Sequence, residues 1–256
     1  MQTLHVERDR GVVTVTLNRP ERKNAINDVM WDELLDTFRA ISANTGEDRV
    51  VVITGAGGAF CSGADLGGGT QPVNGLVHMR HVGEVCKALH AIPQPTIAKV
   101  TGVAAGAGLN LALGCDLIVA SDEARFSEIF ARRGLSVDFG GSWVLPRLVG
   151  LHKAKELVLL ADLIVAKEAA DIGLVNRVVP ASEIDAFVDD WARRLAAGPP
   201  LALSMSKRLL DDSAAMSLTQ AVEAEAHAQN VNFASRDMAE AMLAFAEKRD
   251  PVFEGH

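Results

Sequence analysis

Short, continuous apolar runs alternate with helix-length amphipathic segments through the first two thirds of the chain. Three runs have the length of a strand: RVVVITG at residues 49–55, TIAKV at 96–100 and CDLIVA at 115–120. Continuous apolar runs are typical of strands that are covered on both faces. Because helix-length segments separate them, we expect crossover connections and a mainly parallel sheet, which is an α/β fold.

Two further patterns precede these runs. The DRG turn at residues 9–11, flanked by β-branched residues, predicts a hairpin of two short strands. Asn27 is placed to cap a helix whose apolar positions, three and four residues apart, run from Met30 to Ile41. We expect that helix to end near Gly46.

Beyond about residue 140 the pattern is helical almost without interruption. Helical periodicity covers residues 151–161, 182–197, 201–210 and 217–245. The apolar faces of these segments are wider than one core contact requires, which is typical of a surface that packs on another subunit.

Composition and charge exclude several classes of partner. The chain of 256 residues is 48% hydrophobic, so it can bury one large core without a metal or a disulfide. Its net charge is −8 and it has no basic run, so we expect no nucleic-acid partner. Cys61, Cys86 and Cys115 show neither disulfide nor zinc spacing, and polar residues interrupt every long apolar stretch. We therefore expect a cytoplasmic protein that neither spans nor binds a membrane.

Two glycine-rich stretches each follow a predicted strand. GAGGAFCSGADL occupies residues 55–66, and KVTGVAAGAGLNLALGCDL occupies residues 99–117. Free N–H groups in such a turn, or at the start of a helix, can stabilise an oxygen that gains negative charge. The second stretch lacks the GxGxxG spacing of a dinucleotide site. Taken alone, the first stretch is equally consistent with an ordinary glycine-rich turn.

Together the two stretches resemble the paired signatures of the crotonase superfamily, the enoyl-CoA hydratase/isomerase family. FCSGADL is similar to the first signature and TGVAAGAGLNLALGCDLIVAS to the second, while LNRPERKNAI and FAEKRDPVFEG resemble the family's terminal segments. The resemblance implies a crotonase-type spiral of ββα units at residues 1–195, which would carry the CoA and oxyanion-hole site. It also implies a helical C-terminal trimerisation region at residues 196–256, an acyl-CoA substrate, no cofactor or metal, and a homotrimer or a dimer of trimers.

The resemblance also implies roles for individual residues. The backbone amides of Ala64 and Ala107 would form the oxyanion hole. The residues that match CoA contacts of the family are Lys23, Ala25, Ser62, Leu66, Phe245 and Lys248. Lys23 and Lys248 are also consistent with solvated surface lysines. The loop GGGTQPVNG, residues 67–75, is expected to be mobile beside the site.

The chain departs from the hydratases at both of their catalytic glutamates. Matching the motifs places Asn110 and Phe130 there, and neither side chain can exchange protons with water. Asp138, in GLSVDFGGSWVLPRLVG, has apolar neighbours that would raise its pKa toward the range of a general base. This segment resembles the isomerases of ring-derived acyl-CoA compounds in phenylacetate degradation, which carry an aspartate here. Alternatively, Asp138 only caps the helix that begins near Gly140.

We therefore predict an enzyme that stabilises a thioester enolate between two amides and shifts a double bond, with Asp138 as the base. Three alternatives stay open: a hydratase in which Asp138 or Glu128 directs water, an enzyme with Asp138 as nucleophile, and an acyl-CoA binding protein without turnover. The side chains expected to line the acyl pocket are Asn110, Phe130, Phe139 and Trp143. Their bulk indicates a flat or ring-bearing acyl group, although aromatic core packing explains it equally well.

Overall fold

The computed structural model describes residues 1–67 and 74–256. The strands are β1 (Leu4–Asp9), β2 (Val12–Leu17), β3 (Val50–Gly55), β4 (Thr96–Val100), β5 (Val103–Ala105), β6 (Leu117–Ser121), β7 (Arg125–Ser127), β8 (Ile164–Val165) and β9 (Arg177–Val179). The α-helices are α1 (Asp28–Ala43), α2 (Gly75–His90), α3 (Ala107–Leu113), α4 (Gly141–Val149), α5 (Leu151–Leu160), α6 (Ala166–Asp171), α7 (Ile184–Ala196), α8 (Pro200–Ser213), α9 (Leu218–Phe233) and α10 (Arg236–Glu247). Two 3-10 helices span Pro20–Arg22 and Ile129–Arg133.

The strands form two sheets. The larger has the order β1-β2-β3-β4-β6-β9, and the smaller has the order β5-β7-β8. In the larger sheet β1 and β2 form the antiparallel hairpin, and every other neighbouring pair is parallel. The predicted α/β fold with crossover connections is confirmed.

Strand β3 is covered on both faces, as its continuous apolar run predicts. Val51 and Ile53 lie in the main core with residues of α1 and α2, whereas Val50 and Val52 lie in a second cluster with residues of α7. Alternate side chains of a strand point to opposite faces, so helices enclose the sheet from both sides. Each fully buried aliphatic side chain of this kind contributes about 1.5–3 kcal/mol.

The predicted helix after Asn27 is confirmed, and its cap is visible. The Asn27 side-chain oxygen accepts a hydrogen bond from the Met30 amide at 3.0 Å. This satisfies one of the backbone donors that the first helical turn leaves without a partner. The helix ends at Ala43, slightly before the expected Gly46.

The expectation of almost uninterrupted helix after residue 140 is wrong in three places. The short strands β8 and β9 interrupt it, because edge pairing to β7 and β6 can order two or three residues that carry no periodicity of their own. The predicted stretch 217–245 consists of two helices, since Ser235 ends the run and caps α10 by accepting from the Met238 amide at 3.1 Å.

The last three helices differ from the rest of the chain in burial. Helices α8 and α9 contain no buried residue, and α10 contains only Asp237 and Ala244. Large apolar side chains here are exposed, among them Leu210, Leu218, Phe233, Phe245 and Val252. The division at residues 195 and 196 and the subunit contacts stay predictions. Across the described ranges, no helix combines the length and apolar character that a bilayer crossing requires.

Candidate active site

Backbone pairing joins the two glycine-rich stretches. Cys61 donates its amide to the Val103 oxygen at 3.0 Å and accepts from the Ala105 amide at 2.9 Å. A side chain at Gly108 would place its Cβ 2.5 Å from the Cys61 main-chain oxygen and 2.6 Å from its sulfur. Only glycine permits this approach, which brings the two stretches into direct contact.

The amides of Ala64 and Ala107 lie beside this junction. A Cβ on Gly63 would be 3.0 Å from the Ala105 oxygen and 3.9 Å from the Ala107 nitrogen. Gly106 has φ 53° and ψ −129°, a conformation that only glycine adopts readily, and it turns the chain into α3. Among the residues that the structure describes, neither alanine amide has an acceptor. Both N–H groups therefore have no acceptor within the described residues, and their role in an oxyanion hole stays a prediction.

A fully buried asparagine holds the first stretch in place. Asn24, at φ 56°, accepts from the Arg19 amide at 2.9 Å through its side-chain oxygen. Its side-chain nitrogen donates to the Ala56 and Ala59 oxygens at 2.9 and 2.8 Å. Both polar atoms of the Asn24 side chain therefore have hydrogen-bond partners, and the two acceptors lie in the first glycine-rich stretch. Our sequence analysis missed this residue, because an asparagine in a charged loop carries no signal of burial.

An ion pair strengthens the same segment. Arg19 and Asp65 meet at 2.9 Å, with both side chains largely buried. The Gly67 amide, together with Arg19, holds the pKa of the Asp65 carboxyl below its usual range. The residue that follows Ala64 is thereby fixed.

The predicted CoA contacts fall into two groups. Ser62 and Leu66 belong to the first glycine-rich stretch, and Lys23 and Ala25 lie in the segment that pairs with it, where the Ser62 amide donates to the Lys23 oxygen at 3.0 Å. The Leu66 side chain is 67% exposed and free for contact. The remaining two residues, Phe245 and Lys248, are exposed at the end of α10. Their roles in binding CoA stay predictions.

The Asp138 side chain does not cap α4. The N-cap of that helix is Gly140, and no side chain caps it. The main-chain oxygen of Asp138 accepts from the Gly141 amide at 3.0 Å and from the Asn110 side-chain nitrogen at 2.9 Å. The carboxyl group itself has no hydrogen-bond partner among the described residues, so the structure does not support the alternative that the Asp138 side chain caps this helix.

A strained turn sets the direction of this carboxyl. Phe139 and Gly140 both adopt left-handed conformations, at φ 47° and 77°. A left-handed conformation costs a residue with a side chain about 1–2 kcal/mol, and here packing opposes that cost. The Phe139 ring stacks on Trp31 of α1 with centroids 5.5 Å apart. Burial raises the pKa of Asp138 to about 6, which suits a general base at neutral pH.

Glu128 is a second buried carboxyl beside Asp138. Its side chain is 1% exposed, and the Asn110 side-chain nitrogen lies 3.5 Å from its Oε2. Burial raises the pKa of Glu128 to about 8; Asn110 opposes this shift and the charge of Asp138 adds to it. The motifs place Phe130 at the hydratase position, whereas the pairing of β5 with β7, just before α3 and just before Glu128, brings Glu128 to Asn110.

The polar side chains of Asn110, Glu128 and Asp138 are incompletely hydrogen-bonded within the described part of the chain. Asn110 Oδ1, Glu128 Oε1 and Asp138 Oδ1 are buried without a hydrogen-bond partner among the described residues. An unpaired buried polar atom costs about 1–3 kcal/mol. A group of three such atoms is unusual in a purely structural core and marks a functional site.

The structure separates the four predicted acyl-pocket residues. Phe130 and Phe139 are buried, and Asn110 lies between Glu128 and Asp138. Trp143 is 45% exposed and lies under the Arg147 guanidinium, whose carbon is 3.9 Å from the ring centroid. It lines a separate groove of about 460 Å³ between α4 and α8. The acyl-pocket role of Trp143 stays a prediction without support from its position.

The three cysteines are all buried. Burial raises the pKa of Cys61 and Cys115 to about 12 and that of Cys86 to about 11. A thiol of such high pKa is a poor nucleophile, so the carboxyls and amides carry the candidate chemistry.

Comparisons with known proteins agree with this arrangement. The family model described as enoyl-CoA hydratase/isomerase matches residues 7–256. A Rhodobacter capsulatus protein named "Probable enoyl-CoA hydratase" is 40% identical over 99% of this chain and 98% of its own length. The 1,2-epoxyphenylacetyl-CoA isomerase of Escherichia coli is 36% identical over 98% of this chain and 97% of its own length.

A solved structure gives the same result. The crystal structure of an enoyl-CoA hydratase from Bacillus anthracis matches this fold with a TM-score of 0.94 at 30% identity, covering 100% of both chains. The resemblance to the crotonase superfamily and the crotonase-type fold are thereby confirmed. Over residues 7–256 the chain belongs to the enoyl-CoA hydratase/isomerase family.

Proposed function

We propose that the protein is an acyl-CoA-processing enzyme that moves a carbon–carbon double bond in an enoyl-CoA, with Asp138 as the base. The observation that carries the proposal is the state of the Asp138 carboxyl. It is free of capping, its Oδ1 has no partner among the described residues, and burial raises its pKa to about 6. A carboxylate in this state is ionised at neutral pH and can accept a proton from carbon.

The proposed reaction needs one carboxylate and two amides. The amides of Ala64 and Ala107 bind the thioester oxygen, and Asp138 removes a proton from the acyl chain. The electron pair of the broken C–H bond moves toward the thioester, and the oxygen gains negative charge. Asp138 then returns the proton to a different carbon, so the double bond shifts and no atom is added. Each amide donor of this kind contributes about 2.7–4 kcal/mol to stabilising the transition state.

Two positions argue against ordinary hydration. The residues at the two hydratase glutamate positions are Asn110 and Phe130, neither of which is an acid. The Asn110 side-chain nitrogen is already engaged with the Asp138 main-chain oxygen at 2.9 Å. Neither residue can activate water as a base.

Water addition is the second candidate function, and Glu128 is the observation that favours it. With pKa values of about 8 for Glu128 and about 6 for Asp138, the pair contains one acid and one base near pH 7. Such a pair could in principle deliver the hydroxyl and the proton of one water molecule. Two relatives with different names, a hydratase and an isomerase, are similarly close to this chain.

The same proposal covers the ligand and its surroundings. CoA would lie along the first glycine-rich stretch, beside Lys23 and Ser62, and no cofactor or metal would take part. Exposed apolar side chains on α8 to α10 support a homo-oligomer, a trimer or a dimer of trimers. Cytoplasmic localisation is part of the same proposal.

The decisive experiment follows mass and bond position in deuterated water. The purified protein is incubated with crotonyl-CoA and with a 3-enoyl-CoA. Isomerisation predicts double-bond migration without a gain of water, and deuterium enters the product to the extent that the proton on Asp138 exchanges with solvent before it is returned. Asp138→Asn should lower the rate of migration by about 10²–10⁴-fold. Asp36→Asn, the same change at an exposed site on α1, should leave the rate unchanged.

Other products would contradict the proposal. Addition of one water that survives Asp138→Asn would make the protein a hydratase with a different catalytic group. A covalent ester on Asp138, visible in the mass of the intact protein, would make that residue a nucleophile. Failure of the wild type to change either compound, although it binds them, would leave a binding protein.

A further inference from the structure

Glu128 has no part in the proposed isomerisation, yet it is the most deeply buried member of the carboxyl cluster. We propose that Glu128 is a positioning residue for Asp138. When Glu128 is neutral, the Asn110 amide stays hydrogen-bonded to the Asp138 main-chain oxygen; when Glu128 is ionised, it draws that amide away and the reaction stops. This inference rests on the proposed role of Asp138 as base.

A single amide group connects the two carboxyl residues. The Asn110 side-chain nitrogen donates to the Asp138 main-chain oxygen at 2.9 Å and lies 3.5 Å from Glu128 Oε2. The first contact is a good hydrogen bond and the second is at the limit of one. With Glu128 neutral, the amide therefore serves mainly to hold the loop that carries Asp138.

Close packing leaves the amide little freedom to serve both sides equally. A Cβ on Gly141 would lie 2.5 Å from the Asn110 nitrogen and 2.6 Å from its oxygen, so the start of α4 presses directly on this side chain. A charged carboxylate attracts an N–H donor about twice as strongly as a neutral group does. Ionised Glu128 would accordingly draw the amide toward itself and away from the Asp138 oxygen.

The charge balance of the reaction gives a second reason. Proton removal moves one negative charge from Asp138 to the thioester oxygen, so the site holds one negative charge throughout. Ionised Glu128 would add a second negative charge at a buried position. Two carboxylates in one buried site cannot both ionise without a large cost, and they titrate as a pair.

The order of ionisation follows from burial. Asp138 is the less buried of the two and has the lower pKa, about 6, whereas that of Glu128 is about 8. Between these values the base is charged and Glu128 is neutral. We expect activity to rise as Asp138 loses its proton and to fall as Glu128 loses its own.

The other titratable groups near Asp138 do not alter the pH range in which Asp138 is charged and Glu128 is neutral. Cys86 of α2 is close enough to Asp138 for that carboxylate to help raise its pKa to about 11, so the thiol stays neutral. His90 of α2, near Gly140, has a pKa lowered by burial and is neutral on the alkaline side. Arg132 and Arg133, on the 3-10 helix Ile129–Arg133, are exposed.

The test is the pH dependence of kcat for the 3-enoyl-CoA reaction between about pH 5 and pH 9.5 in wild type and Glu128→Gln. In the wild type, kcat should fall about fivefold from pH 8 to pH 9 and approach a tenfold fall per pH unit above that, as one ionisation requires. Glu128→Gln cannot ionise and should keep the rise near pH 6 but lose the alkaline fall. Glu123→Gln, the same change at an exposed position on the β6–β7 connection, should retain both.

A merely structural role for Glu128 would give a different result. It would lower kcat by the same factor at every pH, and the alkaline fall would persist in Glu128→Gln; that result would overturn the inference. If the alkaline fall persisted in Glu128→Gln while Asp138→Asn was inactive, only the role of Glu128 would be overturned and the proposed function would stand. No isomerisation by the wild type at any pH would overturn the proposed function, and this inference with it.

A second measurement does not depend on activity or on the stability of Glu128→Gln. The wild type, labelled with ¹³C at glutamate carboxyls, should show one resonance that titrates near pH 8. In Asp138→Asn this midpoint should shift to lower pH, because the neighbouring negative charge is gone. An unchanged midpoint, or no glutamate titrating above its ordinary range, would show that the two carboxyls are not coupled.

Discussion

The two halves of the candidate site satisfy their polar groups in opposite ways. The amide half consists of Ala64 and Ala107 with the glycine-rich stretches around them, and its buried polar support, above all Asn24, is fully hydrogen-bonded. The carboxyl half consists of Asn110, Glu128 and Asp138, and each has a buried polar atom without a partner among the described residues. The amide half is suited to holding two backbone N–H groups in fixed positions, and the carboxyl half is suited to proton transfer.

This difference follows from what each half must do. Backbone amides cannot adjust by rotating a side chain, so the loops that carry them need many fixed contacts. A base must change its charge during the reaction, so its surroundings cannot satisfy both forms equally. Changes in the amide half should therefore cost stability and activity together, whereas changes to the polar side chains of the carboxyl half should cost activity with little loss of stability.

We expect the largest effect from Gly108→Ala, at the contact between the glycine-rich stretches. The new Cβ would lie 2.5 Å from the Cys61 oxygen, so the loops must separate. We expect a loss of about 3 kcal/mol in the free energy of unfolding, as for severe overpacking. Because the amides would also move apart, kcat should fall about 100-fold or more. Chemical denaturation and steady-state kinetics would measure both.

The matched control is Gly83→Ala. Gly83 lies in α2 with nothing within 4 Å of the position of a Cβ, and alanine is the better helix former by about 1 kcal/mol. This variant should be as active as the wild type and slightly more stable. If Gly108→Ala were equally well tolerated, the amide half would not be rigid.

A smaller effect is expected from Asn24→Ala. Alanine at φ 56° would keep the strain and lose three hydrogen bonds, leaving the Arg19 amide and the Ala56 and Ala59 oxygens without this partner. We expect a loss of about 2–3 kcal/mol in stability and a weaker affinity for CoA. Thermal unfolding and CoA titration measure these effects. Asn24→Gly removes the strain, so if it restored full stability the hydrogen bonds would contribute nothing.

The smallest effect is expected from Phe139→Leu in the carboxyl half. It removes the stacking on Trp31 but keeps an apolar side chain at the same left-handed position. We expect a loss of about 1 kcal/mol in stability and a fall of about tenfold in kcat, since Asp138 adjoins the turn. Phe187→Leu removes a similar contact with Trp191, at 5.1 Å on α7, and should lose stability without losing activity. Equal kinetics of the two variants would mean that the turn does not position Asp138.

The sequence predicts the amide half better than the carboxyl half, for a physical reason. Glycine positions and flanking apolar strands are local signals, and they predicted the two stretches that the structure brings into contact. The relation of Glu128 to Asn110 depends on the pairing of β5, which leads into α3, with β7, which leads to Glu128, and no local pattern encodes that pairing. Likewise Trp143 lies in the same helix as other site neighbours, yet the helix turns it toward His90, with ring centroids 6.2 Å apart.

The same distinction holds for the fold. The long apolar runs and the Asn27 cap predicted the central strands and α1, since each is stabilised by its own residues. Strands β8 and β9 have two and three residues and exist through pairing with distant segments. The break at Ser235 was missed because alanine-rich sequence on both sides continues the helical pattern.

A buried cysteine lies in or near each half of the site, and its alkylation rate reports how often that half opens. Cys61 lies within the amide half, in contact with the Asn24 oxygen at 3.1 Å, and Cys86 lies close to Asp138. A buried thiol reacts with an alkylating reagent only when the surrounding structure opens. The alkylation rates of these two thiols in the native protein therefore time the opening of each half separately, with Cys115 as an internal reference, and no label need be introduced.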